Sequence, residues 1–75
     1  NPVKSMLALD LQLQAPATVE IEILNIFGQT LQHLDMGKTG RVEQLLDLRD
    51  YPDGMYFVQV QADRKAVLRK VMIQH

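Results

Sequence analysis

The sequence predicts an all-β domain, a small antiparallel β-sandwich of about six strands. Two observations carry this reading. Apolar residues recur with a period of two over most of the chain, and turn signals interrupt that pattern every 8 to 15 residues. A third is negative: no segment shows the 3.6-residue apolar period of an amphipathic helix.

The first strand is read from Leu7, Leu9, Leu11 and Leu13, which alternate with Ala8, Asp10, Gln12 and Gln14. Successive side chains of a strand point to opposite faces, so one face is buried and the other wet. Ala15-Pro16-Ala17 ends it, because proline cannot donate to a ladder. The second strand has Val19, Ile21 and Ile23 on one face and Thr18, Glu20 and Glu22 on the other. Asn25-Ile26-Phe27-Gly28 is a turn, since asparagine bonds its own backbone and glycine accepts positive φ. A weaker third strand covers residues 29–35, with Leu31 on the core side and Thr30, Gln32 and Leu34 opposite. Gly37-Lys38-Thr39-Gly40 is the next turn. The fourth strand, residues 41–48, has Val42, Leu46 and Leu48 in phase, and Asp50-Tyr51-Pro52-Asp53-Gly54 is the strongest turn in the sequence. Residues 55–61 form a fifth strand with Tyr56, Val58 and Val60 inward, and residues 66–74 a sixth with Val67, Val71 and Ile73 inward. A four-residue connection at 62–65 sets Gln61 against Ala66, Val60 against Val67 and Tyr56 against Val71, which pairs inward residues with inward residues. Arg69 breaks the pattern opposite Val58. It calls for a bulge, or for an edge position from which the guanidinium reaches water.

Composition limits the function. The chain has 75 residues, 47% of them apolar and 23% charged, which is enough for one small globular domain and argues against disorder. It begins at Asn1 rather than methionine, which reads as a fragment of a longer protein. A net charge of −1 disfavours nucleic acid as a partner. Without cysteine there is no disulfide, thiolate metal site or thiol nucleophile. No catalytic residue, cofactor site or metal site is expected. Ser5 is the only serine and has no nucleophile elbow around it. Glu20 and Glu22 share a face, but it is the wet one. Asp47, Asp50 and Asp53 do not match calcium-loop spacing, and turn capping accounts for Asp47 and Asp53. His33 and His75 stand apart from one another without other ligands. Without tryptophan, the aromatics Phe27, Tyr51, Tyr56 and Phe57 make a poor sugar platform.

Two features of the last hairpin point to a protein contact instead. Arg64, Lys65, Arg69 and Lys70 are half of the basic residues, and no acid follows them. On the non-core face lie Met55, Phe57, Leu68 and Met72, with Met55 opposite Met72 and Phe57 opposite Lys70. An exposed edge strand could also pair between copies as an edge-strand dimer.

Four motifs together carry a resemblance. Asn1-Pro2 opens the chain, and Asn25-Ile26-Phe27-Gly28-Gln29 follows a Val-x-Ile-x-Ile strand. Leu46-Asp47-Leu48 leads to Tyr51-Pro52-Asp53-Gly54-Met55-Tyr56-Phe57-Val58, and Lys70-Val71-Met72-Ile73 comes last. In this order the chain resembles the C-terminal sorting domain of type IX (Por) secretion cargo of Bacteroidetes, over essentially its whole length. Leu24 stands where that family often has an aromatic, Tyr51 where it often has leucine, and a proline that often precedes Asn1 is not in this sequence. The resemblance implies an Ig-like β-sandwich of about six to eight strands, with no catalytic role. It implies an address that takes cargo from the periplasm across the outer membrane, to the cell surface or into the medium. The implied partners are the outer-membrane secretion machinery and a sortase-like protease. The pattern's characteristic positions here are Asn1, Pro2, Asn25, Gly28, Asp47, Leu48, Gly54, Tyr56, Lys70, Val71 and Ile73. The expected contact residues are Lys70, Val71, Met72, Ile73, Phe57, Met55 and Leu68. The competing expectation is an Ig- or fibronectin-like spacer, or a weak carbohydrate-binding module, of an extracellular enzyme.

Overall fold

A strand with one apolar face needs neighbours for its backbone and a cover for that face, and four strands meet both needs here. The computed structural model describes residues 6–75. Its elements are β1 (Met6–Leu24), β2 (Thr30–Asp47), β3 (Gly54–Ala62) and β4 (Lys65–Ile73), all antiparallel in one sheet of order β2-β1-β3-β4. There is no helix among the described residues.

The long hairpin β1–β2 supplies its own cover. Nineteen extended residues would span about 60 Å, yet the molecule measures 36 Å along its longest axis. The strands therefore fold back. The bend lies where Gln12 faces Arg41 but Ala17 faces Thr39, so residues 13–16 of β1 oppose Gly40 alone. Gln12 Nε2 donates to Gly40 O at 3.2 Å, and Thr39 Oγ1 bonds across to Arg41 O at 2.7 Å, so side chains hold the bend. Beyond it, Val42, Leu46 and Leu48 join one buried cluster with Val19, Ile21, Ile23, Tyr56, Val58, Val60 and Ile73. Leu7, Leu9 and Leu13 from the outer half of β1 pack against the same cluster.

The turn at residues 25–29 follows from asparagine chemistry. Asn25 Oδ1 accepts from Phe27 N and Gln29 N, both at 3.0 Å, while Gly28 takes φ +81°. At the far end, Tyr51 stacks on Tyr56 with centroids 5.6 Å apart, and Tyr56 Oη donates to Pro52 O at 2.7 Å.

The all-β, antiparallel class holds, with four strands where six to eight were expected. Residues 7–13 and 18–24 are one strand, because Pro16 falls in a bulge and interrupts the ladder without ending it. The turn expected at residues 37–40 is not there. Gly37 sits inside β2 at φ +66°, its N–H donates to Asp35 Oδ1 at 3.0 Å, and Met36 has no place in the register. Leu31 and Leu34 exchange the roles expected of them. A third register shift sets Thr30 against Leu24 and Gln32 against Ile23, so Leu34 falls opposite Ile21 and packs on the core. Val67 has inward parity but stays 46% exposed, because the folded-back ribbon leaves this part of β4 uncovered. The register expected for the last hairpin is found residue for residue, and β3–β4 has no bulge, so Arg69 takes the edge alternative.

In urea denaturation Ile21→Ala is expected to cost about 2–5 kcal/mol, as for a fully buried branched aliphatic. Leu31→Ala should cost less than about 1 kcal/mol, as for a surface position, and less than Leu34→Ala. A larger loss at Leu31 than at Leu34 would contradict the observed register.

Candidate partner-docking surface

The hairpin β3–β4 turns tightly at Asp63-Arg64, since Ala62 pairs with Lys65. Asp63 takes φ +53°, which aspartate tolerates better than most residues. It is held there from β1: Thr18 N donates to Asp63 Oδ1 and Asp63 N to Thr18 O, both at 2.9 Å. The hairpin is thus moored at its tip and presents its outer face in a fixed register.

Met55 lies opposite Met72, and Phe57 opposite Lys70, on that outer face, with Leu68 one row further along. Leu68 is 52% exposed, Met55, Met72 and Lys70 are also exposed, and Phe57 is half-buried. These five expected contact residues are gathered on one surface. Val71 and Ile73 lie on the other face, Val71 half-buried opposite Tyr56 and Ile73 only 1% exposed opposite Gly54. They anchor β4 to the core. The last residues are tied down as well, with His75 N donating to Asp53 Oδ1 at 3.0 Å and His75 Nε2 2.7 Å from Tyr51 O.

Sequence reasoning missed an extension of this surface. Leu24 pairs with Phe57 across β1–β3, and the chain runs from it into Ile26 and Phe27 at the turn. Phe27 is 88% exposed although its backbone is fixed by Asn25. The signal was present: turn chemistry explains Asn25 and Gly28 but gives no reason for two large apolar residues between them. A second missed grouping is His33, which lies 3.7 Å from both Glu20 and Glu22 on the wet face of β1–β2.

Charge on the outer face is divided. Arg41 bonds Asp10 and Glu43, and Arg49 bonds Asp47. Arg64, Lys65, Arg69 and Lys70 have no carboxylate partner among the described residues. Glu20 and Glu22 are kept from β4 by the whole of β3, since they pair with Gln61 and Gln59. Among the described residues no group of three or more His, Asp or Glu is placed to hold a metal. An open groove of about 910 Å³ lies beside the bend, lined by residues such as Gln12, Leu13, Ala17, Asp63 and Arg64.

Residues 1–74 match the family described as the secretion system C-terminal sorting domain, the sorting signal of type IX secretion. The chain belongs to this family. No curated protein and no solved structure matches it. As a type IX sorting domain it marks a protein for export to the cell surface or for secretion, and it implies interaction with the secretion machinery. Domains of this family are in general non-catalytic.

Most of the positions that the resemblance singles out lie at turns, in the core or at strand ends. Asn25 and Gly28 build the β1–β2 turn, Leu48 is buried, Gly54 starts β3, and Tyr56 braces the loop before it. Asn1 and Pro2 lie outside the described residues. Asp47 caps the chain as it leaves β2: its Oδ1 accepts from Arg49 N at 3.1 Å and Arg49 Nε at 3.0 Å, and its Oδ2 accepts from Arg49 Nη2 at 2.8 Å. These bonds, the guanidinium's first, hold the Asp47 carboxyl down at about 2. The folded form thus gains from an ionised Asp47, a gain complete above the ordinary carboxylate range and lost as pH falls through about 2.

The Asp47 carboxyl carbon should titrate by NMR with a midpoint near 2, and Arg49→Ala should bring it back toward the ordinary value of 3.8. An unchanged midpoint in that variant would remove Arg49 as the cause.

Proposed function

We propose that this chain is a non-catalytic secretion signal at the end of a larger exported protein, and that it works by docking to the type IX machinery through its C-terminal hairpin. In this reading residues 1–75 act as a single domain, and fused cargo passes from the periplasm across the outer membrane. The observation that supports it most is the outer face of β3–β4, where Met55, Phe57, Leu68 and Met72 surround Lys70 on a ribbon moored at its tip. A soluble domain gains nothing for its own stability by displaying such side chains, whereas a partner gains apolar area and a charge to orient on. Val71 and Ile73 contribute by holding β4 in place, and Met72 and Lys70 by direct contact. A sortase-like protease that removes the domain is the second partner in this scheme.

Deleting residues 71–75 from a fused cargo is expected to leave that cargo in the periplasm, and surface display of the truncated fusion would refute the reading. The deletion also removes Ile73 from the core, so Lys70→Glu is the sharper variant. Lys70 is exposed, so the change should alter stability by no more than about 0.5 kcal/mol. Export of the folded Lys70→Glu fusion should fall, and export at the normal level would exclude Lys70 as a contact.

A further inference from the structure

We propose that the open edge of β4 (Lys65–Ile73) is completed by an extended acidic segment of a partner protein, which adds to the sheet as a further antiparallel or parallel strand. For the identity of the partner this rests on the sorting-signal reading; the mode of contact rests on the sheet alone.

Three observations lead to it. The first is topological. β4 ends the sheet order β2-β1-β3-β4 and pairs with β3 over nine consecutive residues without a bulge. At the opposite edge, β2 is interrupted at Leu31 and Met36 and bent at Gly40, which are features that blunt strand addition. The two-residue turn fixes which backbone groups of β4 are free. Ala62 and Lys65 close the turn as a hydrogen-bonded pair, and alternation then directs the N–H and C=O groups of Ala66, Leu68, Lys70 and Met72 away from β3. The carbonyl of Leu68 behaves accordingly, since it accepts from Arg69 Nη1 at 3.2 Å. A side chain has taken up an acceptor that no strand reaches.

The second observation is that the first part of β4, around Val67 and Leu68, is uncovered on both faces. Val67 is 46% exposed on the inner side and Leu68 52% exposed on the outer side. An added strand lays side chains beside both, so it buries apolar area whichever face it favours.

The third observation chooses the occupant. Arg64, Lys65, Arg69 and Lys70 line this edge and have no acid partner among the described residues. A second copy of β4 would set cations against cations, and like charges across strands repel. An acidic strand reverses the sign of every one of those terms. The cations that guard the edge against self-pairing thereby select the partner.

The test uses the 75-residue chain with a synthetic ten-residue peptide of alternating glutamate and valine, and a lysine–valine counterpart as control. Amide hydrogen exchange by NMR should slow at Ala66, Leu68, Lys70 and Met72 by about tenfold or more with the acidic peptide, because outward amides gain acceptors. The lysine peptide should leave them unchanged. Ala66→Pro and Leu68→Pro each remove one outward N–H without touching a bond to β3, and each should weaken peptide binding by about tenfold while circular dichroism keeps its β-sheet form. If one proline variant does not fold, the other carries the comparison. Unchanged exchange at the four amides overturns the proposal, as does equal protection by the lysine peptide, or sedimentation showing that protection comes from a dimer. In cells the two readings separate. Normal export of a folded Ala66→Pro fusion, with the 71–75 deletion blocked, removes strand addition and leaves the sorting signal. Export of the deletion removes the sorting signal and leaves the peptide result standing.

Discussion

The bend in the β1–β2 hairpin is the constraint from which the rest of the architecture follows. The four-stranded part of the sheet carries Val19, Ile21, Ile23, Tyr56, Val58 and Val60 on one face, and a face of that kind cannot stay in water. Among the described residues there is no helix, and the cover comes from strands already in the sheet. Four residues of β1 opposite one of β2 make the mismatch that turns the ribbon over. Gly40 is not required there by space. A side chain at that position would meet the Pro16 ring at 3.9 Å, an ordinary contact. The unequal lengths of the two arms, and a proline that has no N–H to lose, are the cause.

The cover is short, and its reach shapes the surface. It closes over β1, β3 and the end of β4 where Ile73 is buried, and it stops before Val67. β4 is therefore divided. Its last residues are fixed by Val71 and Ile73 within and by the bonds of His75 to Asp53 and Tyr51 beyond. Its first residues hold only to β3. The apolar outer face adds to this asymmetry, because Met55, Phe57 and Met72 lie at the anchored end, next to Leu24. A partner approaching there meets a surface whose geometry is already set, so little ordering entropy is lost on contact.

Much of this was legible in the residues. Period-two alternation located every buried residue of β3, the inward residues of β1 apart from Leu11, which is 37% exposed and does not join the core, and the pairing of β3 with β4, since a short polar turn leaves one register that matches faces. What alternation could not show was continuity. Pro16 and Gly37 read as ends of strands, because both are turn residues in most settings; in a bulge they serve to bend a strand that goes on. The Leu31/Leu34 exchange has the same origin, since parity counted along the chain fails wherever one residue drops out of register. The exposure of Val67 was hidden for a different reason: the extent of the cover depends on where the bend falls, which is a property of two strands together. In the candidate surface, Lys70, Met55, Phe57, Leu68 and Met72 were legible from register, whereas Ile26 and Phe27 were passed over because the turn around them was already explained.

Several of the positions that the resemblance singles out meet at one joint. Asp47 ends β2 and Leu48 follows it, Gly54 and Tyr56 begin β3, and Ile73 with the following residues closes against the same loop. Asp47 holds the chain through Arg49, Tyr56 holds Pro52 and stacks on Tyr51, and Tyr51 in turn meets Gln32 of β2 and His75. The Tyr51–Gln32 and Tyr56–Pro52 bonds are partly buried, the Asp47–Arg49 and His75 bonds are exposed, and those of His75 tie the end of the chain beyond β4 to the 51–53 loop. β4 therefore takes its place against β3 and against the 51–53 loop together.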